Sequence, residues 1–182
     1  MAVDLDILTA SAARDVTRLT RELVRREISL ARWTASMQTA ISDAHTTAYL
    51  AGVADRLRVR AGSAALNAKN LSAAERATIR QAVAAQRSFL DRFVGAIRAG
   101  ELSPAQIGAR AALYADSARA TYWRGATAGA NLPFYPGDGG TPCLGHCRCT
   151  WQQRGGAWYW ILGDAEHCDG CKARAAGSPY AG

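Results

Sequence analysis

Cys143-Leu-Gly-His146-Cys147-Arg-Cys149-Thr-Trp151-Gln-Gln-Arg-Gly155-Gly156-Ala-Trp158-Tyr-Trp160, followed shortly by His167-Cys168-Asp-Gly170-Cys171, is the stretch whose reading decides the fold. All five cysteines of the 182-residue chain lie in it. Gly155-Gly156 is a tight-turn signal between two short runs, Cys147 to Arg154 and Ala157 to Leu162, which read as the strands of a β-hairpin. Trp151, Trp158 and Trp160 give that hairpin a large apolar payload. Cysteines stand on both sides of it, so the topology predicts thiols gathered at one end of the hairpin, as in a zinc ribbon.

The cysteines read as metal ligands. Met1-Ala2-Val3-Asp4 carries no basic segment leading into an apolar stretch, which predicts a chain made and kept in a cytoplasm. In a reducing compartment clustered cysteines more often bind metal than form disulfides, and an odd number cannot all pair internally. Zinc takes four tetrahedral ligands and suits thiolates. Cys168-x-x-Cys171 with Gly170 reads as a knuckle in which backbone N–H groups turn toward the sulfurs. The first half offers three thiols where two are needed. Cys147 and Cys149, two apart, would point to one side of a strand, and any of Cys143, Cys147 and Cys149 can be the spare. His146 and His167 each adjoin a cysteine and are candidates to replace one. The expectation is one structural Zn2+ per chain, drawn from Cys143, Cys147, Cys149, Cys168 and Cys171. The alternatives are two disulfides with a free thiol, or an iron–sulfur cluster.

Catalysis is not expected. A catalytic zinc keeps an open position, whereas this many thiols predict a closed site. The chain has no phosphate loop, nucleophile elbow or H-E-x-x-H. Asp138, in a Gly-rich turn, reads as turn chemistry, and Cys143 and His146 are too close in sequence for the usual nucleophile–base pair.

Outward from this stretch the composition changes near Gly129. Residues 131–182 hold four of the five prolines, and Asn131 to Gly140 cannot be regular structure. Residues 1–130 contain one proline, Pro104, and read as helices. Leu5, Leu8, Ala12, Val16, Leu19 and Leu23 form one amphipathic stripe. Trp33, Met37, Ile41, Ala44, Ala48 and Ala51 form another, read as continuing the first. Arg58 to Asn70 reads as a loop. Ser72-Ala73-Ala74-Glu75 is a capping box that opens a helix with Ile79, Val83, Gln86, Leu90, Phe93 and Ile97 inward, closed at Gly100. Ser103-Pro104 opens the last helix, with Ile107, Ala111, Tyr114, Ala118, Tyr122 and Gly125 inward. The small members of that stripe permit close approach of a neighbouring helix. The predicted class is therefore α+β: an α-helical bundle or set of hairpins over 1–130, then a zinc-stapled β-hairpin module over 131–182 with an irregular tail from Ala173. Hydrophobic residues at 49% and charged residues at 20% are ordinary for a globular chain, and no apolar run reaches the length of a membrane span.

The net charge of +7 belongs entirely to residues 1–130, where Lys and Arg exceed Asp and Glu by 18 to 11; residues 131–182 balance at 4 to 4. A basic helical part favours an acidic partner, nucleic acid or an acidic protein surface, or is simply a solvated face.

The block Leu132-Pro-Phe-Tyr-Pro-Gly-Asp-Gly-Gly-Thr-Pro-Cys143-Leu-Gly-His-Cys147-Arg-Cys149-Thr-Trp151 resembles the C-terminal signature of the minor head (head-morphogenesis) proteins of Mu-like bacteriophages. Trp160 to Cys171, the ending Arg174-Ala-Ala-Gly-Ser-Pro-Tyr180 and the helical stretch Gln106 to Tyr114 fit the same group, so the resemblance covers about residues 103–182. It implies a virion component made in the bacterial host cytoplasm and acting in head assembly. Its partners would be other virion proteins, such as the major capsid protein or the portal, in multiple copies per particle. Packaged DNA could meet the basic helices, and no membrane is implied. A zinc-ribbon nucleic-acid-binding phage protein is the alternative expectation.

Overall fold

In the computed structural model, which describes residues 5–58 and 67–182, the chain is mostly helical with one two-stranded antiparallel sheet, an α+β arrangement. Helices α1 (Leu5–Val24), α2 (Leu30–Leu57), α3 (Ala73–Arg98), α4 (Pro104–Asp116) and α5 (Ala118–Ala126) come first. Strands β1 (Thr150–Arg154) and β2 (Ala157–Ile161) and helix α6 (Asp169–Ala176) follow.

Local chemistry sets most helix ends. Ser72 accepts from the Glu75 N–H while Glu75 reaches back to the Ser72 N–H, the expected capping box. Ser103 and Gln106 form a second one, with Pro104 in the first turn. Gly100 follows α3 with φ +71°, the left-handed conformation that glycine adopts without Cβ strain. The α1 and α2 stripes do not continue as one helix. Arg26 turns left-handed at φ 61°, and Ser29 caps a new helix by accepting from the Arg32 N–H. The final helix of 1–130 is also two: it breaks at Ser117, whose hydroxyl donates to the Tyr114 carbonyl at 2.7 Å. That carbonyl is the one the Ala118 N–H would use in a continuous helix, so the side chain competes with the ladder. The expected loop from Arg58 to Asn70 lies largely outside the described residues; its last part is one 3-10 turn, Ala68–Asn70, capped by Asn67.

Two apolar clusters fill the interior. The first joins α1 to α4 through Val16, Leu19, Trp33, Met37, Ile41, Leu90, Phe93 and Tyr114, with Trp33 edge-on to Phe93 at 5.7 Å. The second runs from Ala48 and Ala51 of α2 and Ala118, Tyr122 and Trp123 of α5 into Leu132, Trp151, Trp160 and three cysteines. Here α2 and α5 touch backbone to backbone. A Cβ on Gly52 would stand 2.0 Å from the Tyr122 carbonyl oxygen, and one on Gly125 would stand 2.3 Å from that of Tyr49.

The hairpin pairs Trp151 with Trp160 and turns at Gly155 and Gly156, both left-handed at φ 56° and 83°, the combination a type I′ turn needs. Its strands begin at Thr150, so Cys147 and Cys149 precede the sheet rather than lie in it. The tail is more ordered than its composition suggests. Helix α6 extends to Ala176, and Tyr180 pairs with Trp158 through N–H···O bonds of 2.9 and 2.8 Å. Phe134, Trp151, Trp160 and Tyr180 then form one aromatic box with ring centroids 5.2–5.9 Å apart. The Arg174 guanidinium lies 4.1 Å above the Phe134 ring and 3.5 Å from Asp138. Asp138 accepts from the Tyr135 and Gly140 N–H groups, the turn chemistry expected of it. Among the described residues no helix is long and apolar enough to cross a membrane.

Candidate metal centre

The five cysteines converge from three places: the turn around Leu144–His146, the entry to β1, and the start of α6. None is in a disulfide. Cys147, Cys149 and Cys171 are buried at 3, 2 and 0% exposure, while Cys143 and Cys168 are half-buried.

The sulfurs fall into two groups in which every ligand atom lies within 4.8 Å of the others: Cys143, Cys168 and Cys171, and Cys147, Cys149 and Cys171. Cys171 belongs to both. Its Sγ is 3.6 Å from that of Cys143 and 3.7 Å from that of Cys147, and Cys143 and Cys168 are 4.0 Å apart. With metal–sulfur bonds of about 2.3 Å, the edge of a zinc tetrahedron is about 3.8 Å, so these are coordination-edge distances. Such a set can bind a metal ion.

Local donors favour the thiolate at two of the five cysteines, Cys168 and Cys147, and the other three are pushed the opposite way. The Cys171 N–H is the largest influence pulling the Cys168 thiol down, as expected of a knuckle. Cys147 is pulled down to about 5, first by the Cys149 thiol and also by the Cys149 N–H, and the same contact pushes Cys149 up. Burial raises Cys143, and it raises Cys171 to about 12. A sulfur this buried releases its proton to solvent readily only when a cation takes its place on the thiolate.

The two histidines separate. His146 turns away from the thiols and places Nδ1 2.6 Å from Asp116 at the end of α4. His167 faces them: Nδ1 is 3.7 Å from Cys149 Sγ, and Nε2 is 2.7 Å from the Gly163 carbonyl oxygen. That carbonyl can only accept, so Nε2 carries a proton, which in the neutral tautomer leaves the Nδ1 lone pair toward Cys149.

Two supporting residues carried no sequence signal. The Thr141 hydroxyl sits 3.1 Å from Cys143 Sγ, and Gly163 lets the chain pass so close to Arg148 that a Cβ would stand 2.5 Å from its carbonyl oxygen. Gly170 acts differently from the knuckle role expected of it. It is helical, and its bare Cα packs against Thr141, where a Cβ would meet the methyl at 3.1 Å.

A second buried polar group escaped the sequence reading because it interrupts an apolar stripe. His45 of α2 reaches Thr121 at 2.6 Å and Ser117 at 3.3 Å. Since Ser117 spends its hydroxyl proton on Tyr114, Nε2 donates to Ser117 and Nδ1 accepts from Thr121. Burial, with the Arg124 charge adding, lowers the His45 imidazole to about 4, so it is neutral near pH 7. Comparison with protein-family models, with curated proteins and with solved structures found no match for this chain.

Proposed function

We propose that the chain is a structural component of a bacteriophage virion, a minor head protein whose C-terminal module is held by a closed thiolate zinc site. The observation that carries the structural part is the depth of the cluster. Three of its cysteines are at most 3% exposed and packed with Trp151, Trp160 and α5, with the half-buried Cys143 and Cys168 against them, an arrangement suited to a structural ion with all its positions filled by protein. Zinc fits better than harder cations because every sulfur donor is a thiol. The hairpin and α6 share one small aromatic box, and a metal would add a cross-link between them. The virion assignment is supported by the block 132–151, which resembles the minor head signature. Purified particles of the encoding phage should contain the chain in a fixed ratio to the major capsid protein by quantitative mass spectrometry. A chain found only in the lysate and never in particles sinks this reading.

One feature favours nucleic acid as a second partner. Exposed Arg76, Arg80 and Arg87 of α3 line a cleft of about 490 Å3, and three positive charges on one cleft suit a phosphate backbone. DNA affinity that drops steeply with added salt supports this second reading, and no measurable affinity at low salt removes it.

A further inference from the structure

We propose that the module holds two zinc ions rather than one, bridged by the thiolates of Cys171 and Cys147, with His167 Nδ1 as the one nitrogen ligand; this rests on the zinc reading above. One tetrahedral ion would draw four sulfurs into a single group with all edges near 3.8 Å. Instead the sulfurs form two groups of three that share Cys171. Each group is three-quarters of a tetrahedron.

The donor count closes the arrangement. Two tetrahedral ions need eight ligand positions, and the five thiolates with His167 supply six donors, so two donors must be shared. The pair placed to be shared is Cys171, common to both groups, and Cys147, 3.7 Å from it. One ion would be held by Cys143, Cys168 and Cys171, whose terminal pair is 4.0 Å apart, with Cys147, 3.7 Å from Cys171 but not within 4.8 Å of all three, drawn in as the bridge when the ion binds. The other would be held by Cys149, Cys171 and Cys147 with His167, whose Nδ1 is 3.7 Å from Cys149, against about 3.6 Å for a sulfur–nitrogen edge at zinc, but not within 4.8 Å of all three sulfurs, so the imidazole closes on the ion as it binds.

His167 carries the mark of a ligand. A metal-binding histidine donates its other ring N–H to a carbonyl or carboxylate, which fixes the tautomer. Here Nε2–H goes to Gly163 at 2.7 Å, and the glycine is required for the approach to Arg148 that places this carbonyl. Charge points the same way. Five thiolates, three of them buried, around one dication leave three negative charges uncompensated, whereas two dications leave one. With a single ion, the alternative is a protonated thiol and an unused imidazole lone pair beside the cluster.

The test is the metal content of the full chain, expressed with zinc and purified under reducing conditions, by plasma mass spectrometry. Two zinc ions per chain are expected. The protein is then loaded with 113Cd, whose NMR spectrum should show two resonances, one all-sulfur and one with nitrogen, both coupled to the Cys171 β-protons. His167→Ala should fall from two ions to one while the far-UV helical signal persists. One zinc in the unaltered chain, two cadmium resonances without a shared Cys171, or two ions retained in His167→Ala each overturn the bridged pair and leave a structural zinc standing. No bound metal overturns both. If His167→Ala does not fold, the stoichiometry and cadmium coupling of the unaltered chain decide alone.

Discussion

Replacing Gly52 or Gly125 by alanine adds one methyl group to a helix that would otherwise welcome it. In an open helix, Gly→Ala stabilises by up to about 1 kcal/mol because alanine has less backbone entropy to lose. At these two sites the methyl has nowhere to go. On Gly52 it would lie 2.0 Å from the Tyr122 oxygen and 2.7 Å from the Ala126 nitrogen; on Gly125, 2.3 Å from the Tyr49 oxygen and 3.1 Å from the Val53 nitrogen. A carbon–oxygen contact needs about 3.3 Å, so α2 and α5 must part by about 1 Å along their whole contact. The obstacles are backbone atoms within helices, which cannot rotate aside. Overpacking of this kind costs about 3 kcal/mol, the upper end of its usual range. Net of the propensity gain, each variant should lose about 2 kcal/mol, or about 4–8 °C in Tm for a domain of this size.

Gly95 of α3 and Gly108 of α4 provide the matched control. Both are interior to helices, and an added Cβ would meet nothing within 4 Å. Gly95→Ala and Gly108→Ala should each gain up to about 1 kcal/mol. Urea unfolding of the four variant chains reads all of them, with equal m-values confirming that only stability has moved. The double variant Gly52→Ala/Gly125→Ala should lose less than the sum of the singles, because the first methyl already opens the gap that the second needs. If Gly52→Ala is as stable as the parent while the control also fails to gain, the close-packing account of α2 and α5 is wrong.

Three further outcomes follow from other contacts. Stripping metal with a chelator at pH 7 should red-shift the emission of Trp151 and Trp160, which the cluster keeps buried, while most α1–α5 helicity persists; unchanged emission would mean the hairpin closes without metal. His45 has a folded pKa of about 4 against about 6.5 unfolded; below pH 6.5 the unfolded chain takes a proton that the folded chain refuses, so stability is lost as pH falls. Between pH 6.5 and 5 that loss is about 1.5 kcal/mol, measured as the difference in pH dependence between the parent and His45→Leu, and parallel curves would refute it. Arg174→Lys keeps the charge near Asp138 but loses the flat guanidinium over Phe134 and Trp160, and should cost about 1–2 kcal/mol, read by thermal unfolding.

What the sequence made legible were features written into neighbouring residues. Ser72 with Glu75, Ser103 with Pro104 and Gln106, and Gly155-Gly156 each act within a turn, and each was readable. The break at Ser117 was not. It depends on a hydroxyl held at a carbonyl by a histidine 72 positions away, and a lone serine inside a good apolar stripe gives no local warning. Helix α6 was masked by the Gly- and Pro-containing tail around it, although Asp169 in its first turn and the alanines after it favour a helix. The cysteines were legible as a set but not as a geometry. Spacing alone suggested a strand pair, Cys147 and Cys149, with one spare thiol. The turn at Leu144, left-handed at φ 49°, instead helps set Cys143 and Cys147 into different groups, and spacing cannot express that.

The close approach of α2 and α5 and the thiol cluster are parts of one arrangement. Ala48 and Ala51 of α2 share a buried cluster with Cys147, Cys149 and Cys171, which is possible only because Gly52 and Gly125 let α5 lie close against α2. Gly145, inside the cysteine turn, fits against Asp116 and Ser117, where a Cβ would meet atoms at 3.2 and 3.3 Å. His146 adds its contact with Asp116 at the same junction. The α4–α5 break is therefore the seat on which the cysteine turn rests, and the buried His45–Ser117–Thr121 contacts hold that seat from the other side. A metal bound to the thiols would fix the junction of two helices as well as the ends of a hairpin, so its loss should be felt in α5 before α3, whose core residues lie in the other cluster.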